Sequence, residues 1–227
     1  MAELHVLRVF CGRDGSGGNP LGVMLDGPAV LPVERQSAAA SIGFSETVFV
    51  DDLPSGTVQI FTPAVEMPFA GHPLVGTAWL LAAERSAVSE LNPPAGPVPA
   101  RVEEDRAYVV GRPEWAPEFE FRQLDSAAEV EALEGPPDDH DLIGAYAWVD
   151  ETTVRSRVFP VRLGIAEDEA TGAAAVRLGS ILDREFTIRQ GRGSEIQVRP
   201  TGGGAVEIGG RVVLDEVRDY PSPGGTA

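Results

Sequence analysis

The chain has 227 residues, 43% hydrophobic and 23% charged, the balance of an ordinary folded protein with room for two small domains or one large one. Eighteen Lys+Arg against 35 Asp+Glu leave a net charge of −17. The basic residues, dominated by arginine, are scattered, which argues against nucleic acid because phosphate binding needs a dense basic patch. One cysteine, Cys11, excludes an internal disulfide and a multi-thiol metal site. No apolar run approaches the ~20 residues of a membrane span, and MAELHVLRVFCG lacks the charged start and long apolar middle of a signal peptide. The expectation is a cytoplasmic protein that partners neither membrane nor nucleic acid.

In chain order, LHVLRVF (4–10) reads as a strand and GRDGSGGNPLG after it as a glycine-rich loop. VMLD is a short second strand. PVERQSAAASIG (32–43) predicts a helix, with proline in its first turn and Gly43 as its stop. ETVFVDD and GTVQIFTP are β-branched and aromatic strands joined by the turn LPSG. A helix follows from Pro73 to about Glu84. The proline-rich LNPPAGPVPA (91–100) separates the halves. Strands are expected at AYVVGRP, EFEFRQL, AYAWVDE and VRSRVFPV, with a charged helix at SAAEVEALEG. A small-residue helix covers about 170–183. FTIRQ, EIQVRP, AVEIGG and RVVLDEV are four further strands, and YPSPGGTA a loose tail.

The halves resemble each other. VQIFTP leads through Glu66 and Gly71 into a helix, and SRVFPV leads through Glu167, Asp168 and Gly172 into another. A strand, an acidic loop, a glycine and a helix thus occur twice, which points to two similar lobes with a cleft between them. PLVGTAWLLAA has no polar face at helical spacing, so it reads as a buried helix wrapped by strands. Its N-terminus, at Gly71 and His72, then faces the cleft, and ATGAAAV mirrors it from the other half.

Helix N-termini carry unpaired N–H groups and partial positive charge, so two of them on one cleft suit a small carboxylate. Glycine at each start allows close backbone approach. His72, Asp168 and Glu46 are the side chains there that can move or share protons, Glu46 if enclosure raises its pKa toward neutrality. Each has a structural reading as well. Glu46 can be an exposed turn residue, His72 a packing or capping residue, and Asp168 the cap of the following helix. His5 and His140 read as structural or solvated, Glu66 as a partner for a helix dipole, and Cys11 as a small buried hydrophobe.

Taken together, GNPLGV (18–23), GFSETVFV (43–50), FTPAVEMPFAGHPLVGTAWLL (61–81) and EDEATGAAA (167–175) resemble the PhzF family of phenazine-biosynthesis-type isomerases, which is similar in fold to diaminopimelate epimerase. The resemblance implies an α+β protein of two similar lobes, each a curved, mostly antiparallel sheet or barrel around a central buried helix. On that basis the lobes span 1–95 and 96–220, with a loose tail at 221–227. It further implies a homodimer, a small carboxylated substrate, and no cofactor or metal. Glu46, His72 and Asp168 match the family's catalytic positions, and Ser45, Gly71, Gly172 and Ala173 are the substrate-binding candidates. The implied function is a cofactor-independent isomerase that shifts a proton by acid/base catalysis in the interlobe cleft. The alternative is a non-catalytic small-molecule-binding or interaction protein on the same scaffold. Two departures stand out: EDPATGS in the family reads EDEATGA here, placing Glu169 for proline and Ala173 for serine. A two-thiol racemase, the diaminopimelate epimerase chemistry, is excluded by the single cysteine.

Overall fold

The structure, a computed structural model, describes residues 2–84 and 88–220; the tail expected at 221–227 lies outside them. In the first half are β1 (Ala2–Cys11), β2 (Asn19–Met24), β3 (Glu46–Asp52), β4 (Thr57–Phe61) and the short β5 (Glu66–Met67). Next come β6 (Glu90–Leu91), β7 (Val98–Glu103), β8 (Arg106–Gly111) and β9 (Glu120–Gln123). The rest are β10 (Ile143–Trp148), β11 (Thr153–Phe159), β12 (Phe186–Gln190), β13 (Ser194–Gly202) and β14 (Ala205–Tyr220). Among the described residues four α-helices interrupt them: α1 (Pro32–Ile42), α2 (Gly71–Glu84), α3 (Ala127–Glu131) and α4 (Gly172–Leu182).

One sheet path runs β5-β4-β3-β2-β1-β14-β13-β12-β11-β10-β9, and the β7–β8 hairpin joins it through β14. Only β2–β3, β9–β10 and β11–β12 are parallel pairs. The protein is therefore α+β with a mostly antiparallel sheet. The two halves meet at β14. Residues Val206 to Arg211 pair with β8, Gly209 down to Ala205 with β13, and Arg211 onward with β1.

The strands differ from expectation at β2, β7 and β14, and the two-residue β5 and β6 lie outside every expected strand. β2 starts at Asn19, inside the expected loop. β7 begins within the proline-rich separator, where Val98 and Pro99 pair with β6 before Ala100 to Glu103 pair with β8. AVEIGG and RVVLDEV form one 16-residue strand rather than two. Gly209 does not break it, since a Cβ there would stand 2.2 Å from Tyr108 Cδ1, so the glycine makes room for a ring lying on the strand. The charged helix shrinks to the five residues of α3, capped by Ser126, whose hydroxyl accepts from the Glu129 N–H.

The apolar helix behaves as its composition dictates. Every residue of α2 from Gly71 to Ala78 is buried, and strands β1, β2, β3, β7, β8 and β14 surround it. α4 lies on β13 and β14 and leaves Ile181 61% exposed, so it is buried on one side only. α1 starts with Pro32 and ends on Gly43 at φ 78°, the left-handed cap expected of that glycine.

Arg35 fastens α1 to the sheet from a position only 2% exposed. Its guanidinium pairs with Asp51, donates to the Gly27 and Val30 carbonyls, and sits 5.1 Å from the centroid of the Phe49 ring. Arg35→Met keeps the packing of the stem and leaves those acceptors unpaired. Urea unfolding should show it destabilised by about 3 kcal/mol, the scale of breaking a buried charge pair.

Candidate active site

The starts of α2 and α4 touch. A Cβ on Gly172 would lie 2.7 Å from the His72 nitrogen and 2.8 Å from Gly71 Cα, and one on Gly71 would lie 2.9 Å from Gly172 Cα. No side chain except hydrogen fits between them. Thr171, the N-cap of α4, makes no side-chain capping bond because its hydroxyl is committed to Asp168. The first N–H groups of that helix thus have no side-chain cap.

Around this junction lies a small cavity of about 30 Å³, room for a water or two and far below the size of a substrate. Glu46, His72, Asp168, Gly71, Gly172 and Ala173 all line it, walled by Phe69, Phe119, Leu163 and Ile165. Ser45 does not reach the wall, and its hydroxyl donates instead to Asn19 Oδ1 at 3.2 Å. Cys11 is buried elsewhere, beside Arg8 and Gly17. His140 is exposed and His5 is buried in β1, both away from the cavity.

Glu46 opens β3 and His72 is the second residue of α2. Glu46 Oε2 stands 3.5 Å from His72 Nε2, and neither buried atom has a hydrogen-bond partner. Burial raises the Glu46 carboxyl from 4.5 to about 7, with the neighbouring Ser45 hydroxyl acting weakly against it. Burial also holds His72 down to about 4, against the field of Asp168 and a hydrogen bond to the Pro20 carbonyl. At neutral pH the imidazole is therefore uncharged, and the contact with Glu46 is not an ion pair. Its N–H goes to Pro20, so Nε2, which is left without a partner, presents a lone pair to the carboxyl.

Asp168 sits before α4, its N–H donating to the Val158 carbonyl of β11 at 3.0 Å. It does not cap the helix. Its Oδ1 accepts from Asn19 Nδ2 at 2.8 Å and its Oδ2 from the Thr171 hydroxyl at 2.7 Å. Burial and the neighbouring Glu46 still raise it from 3.8 to about 6. Glu46 and the neutral imidazole can then pass a proton between them near neutral pH, beside an Asp168 that has a donor at each oxygen. Asn19, Thr171 and the apolar walls escaped the reading of the sequence. Asn19 lies in the stretch GNPLGV, yet nothing in those residues says where its side chain points.

The family model described as "Phenazine biosynthesis-like protein" (PhzC-PhzF) matches residues 9–147. The chain belongs to the PhzF family. Over 223 residues it is 30% identical to the trans-2,3-dihydro-3-hydroxyanthranilate isomerase of Pseudomonas chlororaphis, covering 79% of each chain. Among solved structures it superposes on a PhzF-family phenazine biosynthesis protein of Bacillus anthracis with TM-score 0.78 and 18% identity, over 97% of this chain and 99% of that one. It also matches a hydroxyproline epimerase from Agrobacterium vitis with bound trans-4-hydroxy-L-proline, with TM-score 0.60 and 12% identity over 96% and 91%. At these identities the structures establish the fold alone, which PhzF proteins share with proline-type epimerases.

Against the PhzF pattern, the two departures have different consequences. Glu169 turns away from the cavity, and its Oε1 accepts from the Arg192 N–H at 2.7 Å and the Ser194 hydroxyl at 2.9 Å, tying the Asp168 loop to the β12–β13 turn. Ala173 does line the cavity, so a hydroxyl is missing from the wall itself.

Proposed function

We propose that this PhzF protein is an isomerase that moves a proton between carbon atoms of a small carboxylated substrate, with Glu46 as the base. The observation that carries this reading is the pair Glu46 Oε2 and His72 Nε2, buried, unpartnered and 3.5 Å apart beside two abutting helix starts. His5 Nδ1, Thr47 Oγ1, Thr77 Oγ1 and Arg211 Nε are also buried without partners, but none of these residues lines the cavity, whereas Glu46 and His72 both do and face each other there.

Glu46, at about 7, is ionised in a large fraction of molecules at neutral pH and strong enough as a base to take a proton from a carbon flanked by electron-withdrawing groups. The substrate carboxylate rests against the first N–H groups of α2 and α4, where the partial positive charge also stabilises the negative charge that develops as the C–H bond breaks. His72 Nε2 accepts a hydrogen bond, from the protonated Glu46 or from a substrate hydroxyl, and so steers the proton to its second position. Asp168 orients the substrate from the opposite side. The cavity is too small for a substrate as it stands, so binding needs the wall of Phe119, Leu163 and Ile165 to give way. The relative's named substrate and the proline bound in the epimerase neighbour both carry a carboxylate, which supports the substrate class.

The test is incubation in D₂O with trans-2,3-dihydro-3-hydroxyanthranilate, followed by NMR. Isomerisation with deuterium entering the product at carbon is the expected result. Saturable binding with neither isomerisation nor exchange at any C–H would overturn the reading in favour of a binding protein.

A further inference from the structure

Gln190 ends β12, is 2% exposed and lines no part of the acid-bearing cavity, yet it contacts both residues that hold its edge. Its Nε2 donates to the Asp168 backbone carbonyl and to Thr171 Oγ1, both at 2.9 Å, and its Oε1 accepts from the Thr171 N–H at 3.3 Å. The orientation of this amide is forced. A main-chain N–H can only donate and a main-chain carbonyl can only accept, so a flipped amide would face donor to donor and acceptor to acceptor. Both Nε2 hydrogens are thereby used, one on each oxygen. The Thr171 oxygen accepts, and its own proton is free for Asp168 Oδ2 at 2.7 Å.

The other side of Asp168 is built the same way. Asn19 Nδ2 donates to Asp168 Oδ1 and to the Ala170 carbonyl, which fixes that amide as well, with its Oδ1 taking the Ser45 hydroxyl. Asp168 therefore meets a donor at each oxygen and no acceptor for a carboxyl proton. We infer that Gln190 is a positioning residue that turns the Thr171 hydroxyl onto Asp168 and so keeps this carboxylate ionised at the cavity edge. Accepting the site as proposed above, the proton-moving pair is Glu46 and His72, while Asp168 is a fixed negative charge.

Two titratable groups face Asp168: Glu46 from β3, which opposes its ionisation, and His72 from α2, which favours it only when protonated and is uncharged near neutrality. Across the neighbouring cleft, Arg157 of β11 is paired with Glu167 and Arg155 with Glu131, so neither guanidinium is free to replace the hydrogen bonds. A protonated His72 would lower the Asp168 titration most, and with His72 uncharged the donors Thr171 and Asn19 are what remain to hold it below where burial alone would put it.

The experiment is a ¹³C-carboxyl NMR titration of the aspartates, the Asp168 resonance being assigned by its loss in Asp168→Asn. It needs no turnover, so its failure leaves the isomerase reading standing, and failure of the D₂O experiment leaves this one intact. Thr171→Val should raise the Asp168 midpoint by about one pH unit, the scale of losing a hydrogen bond to the charged form, and Thr171→Ser should restore it. Gln190→Met should raise it too, and the double variant should go no further than Thr171→Val, because both changes cut one link. An unmoved midpoint in Thr171→Val or in folded Gln190→Met, or shifts that add in the double variant, would overturn the inference. If Gln190→Met does not fold, the native protein supplies the readout: the ¹⁵N resonance of the Gln190 side-chain amide should follow the Asp168 midpoint, and an amide indifferent to pH there overturns the proposal.

Discussion

Glu46→Gln should lose two to four orders of magnitude in turnover, roughly the share a positioned general base contributes, and at the same time make the protein more stable above pH 7. The amide keeps the shape of the carboxyl but cannot take a proton from carbon. The gain in stability follows from the same burial that makes the base useful. Glu46 is raised from 4.5 to about 7 in the folded state, so between those values the folded chain holds a proton that the unfolded chain has released. The stabilisation associated with that proton is complete below pH 4.5 and is lost as the pH rises through 7. Glutamine does not ionise, so the variant should match the native protein near pH 4 and exceed it at pH 8 by on the order of 3 kcal/mol. His72 contributes the opposite slope, since its depressed value costs stability as the pH falls from 6.5 toward 4, but both proteins share it and it cancels in the difference. Urea unfolding at pH 4, 6 and 8 measures the gap. A variant that is inactive and no more stable at pH 8 would mean that Glu46 is not held in the desolvated state described.

Gly172→Ala is expected to damage both fold and activity by a different route. The added methyl would meet the His72 nitrogen at 2.7 Å and Gly71 Cα at 2.8 Å. These are main-chain atoms of a buried helix and cannot swing aside as a flexible side chain would. The two helix starts must separate. Overpacking of this kind costs about 1–3 kcal/mol, more than the few tenths to one that alanine returns within a helix. Separation also moves His72 relative to Asp168 and spreads the N–H groups proposed to hold one carboxylate. A displacement near 1 Å costs on the order of a hundredfold in rate. Gly135→Ala is the control, because its methyl meets nothing within 4 Å. Thermal unfolding and turnover of the two variants side by side separate a steric effect at the junction from a general intolerance of glycine replacement.

Much of the candidate site was legible because its parts are local. His72 before a proline at the head of an apolar helix, and glycines opening both helices, are signals carried within a few residues. They state where backbone can approach backbone and where N–H groups are exposed. The fold class followed from the same kind of pattern, together with the resemblance to PhzF proteins. The strand expectations failed where a residue's meaning depends on what lies across the sheet. Gly209 reads as a break until the Tyr108 ring is seen to occupy the space of its missing side chain, and Asn19 reads as loop until β1 pairs with it.

Helix starts, apolar faces and the presence of two carboxyls and one imidazole beside them were thus legible in the sequence itself, since each rests on signals spanning a turn or a strand. The tertiary structure alone decided that Gly71 and Gly172 abut, and that Glu46 and His72 face each other without partners. It alone placed Asp168 between Asn19, 149 residues away, and a threonine oriented by Gln190, 22 residues away from Asp168. Hydrogen-bond direction and desolvation depend on which groups surround an atom in space, and local pattern does not encode that neighbourhood.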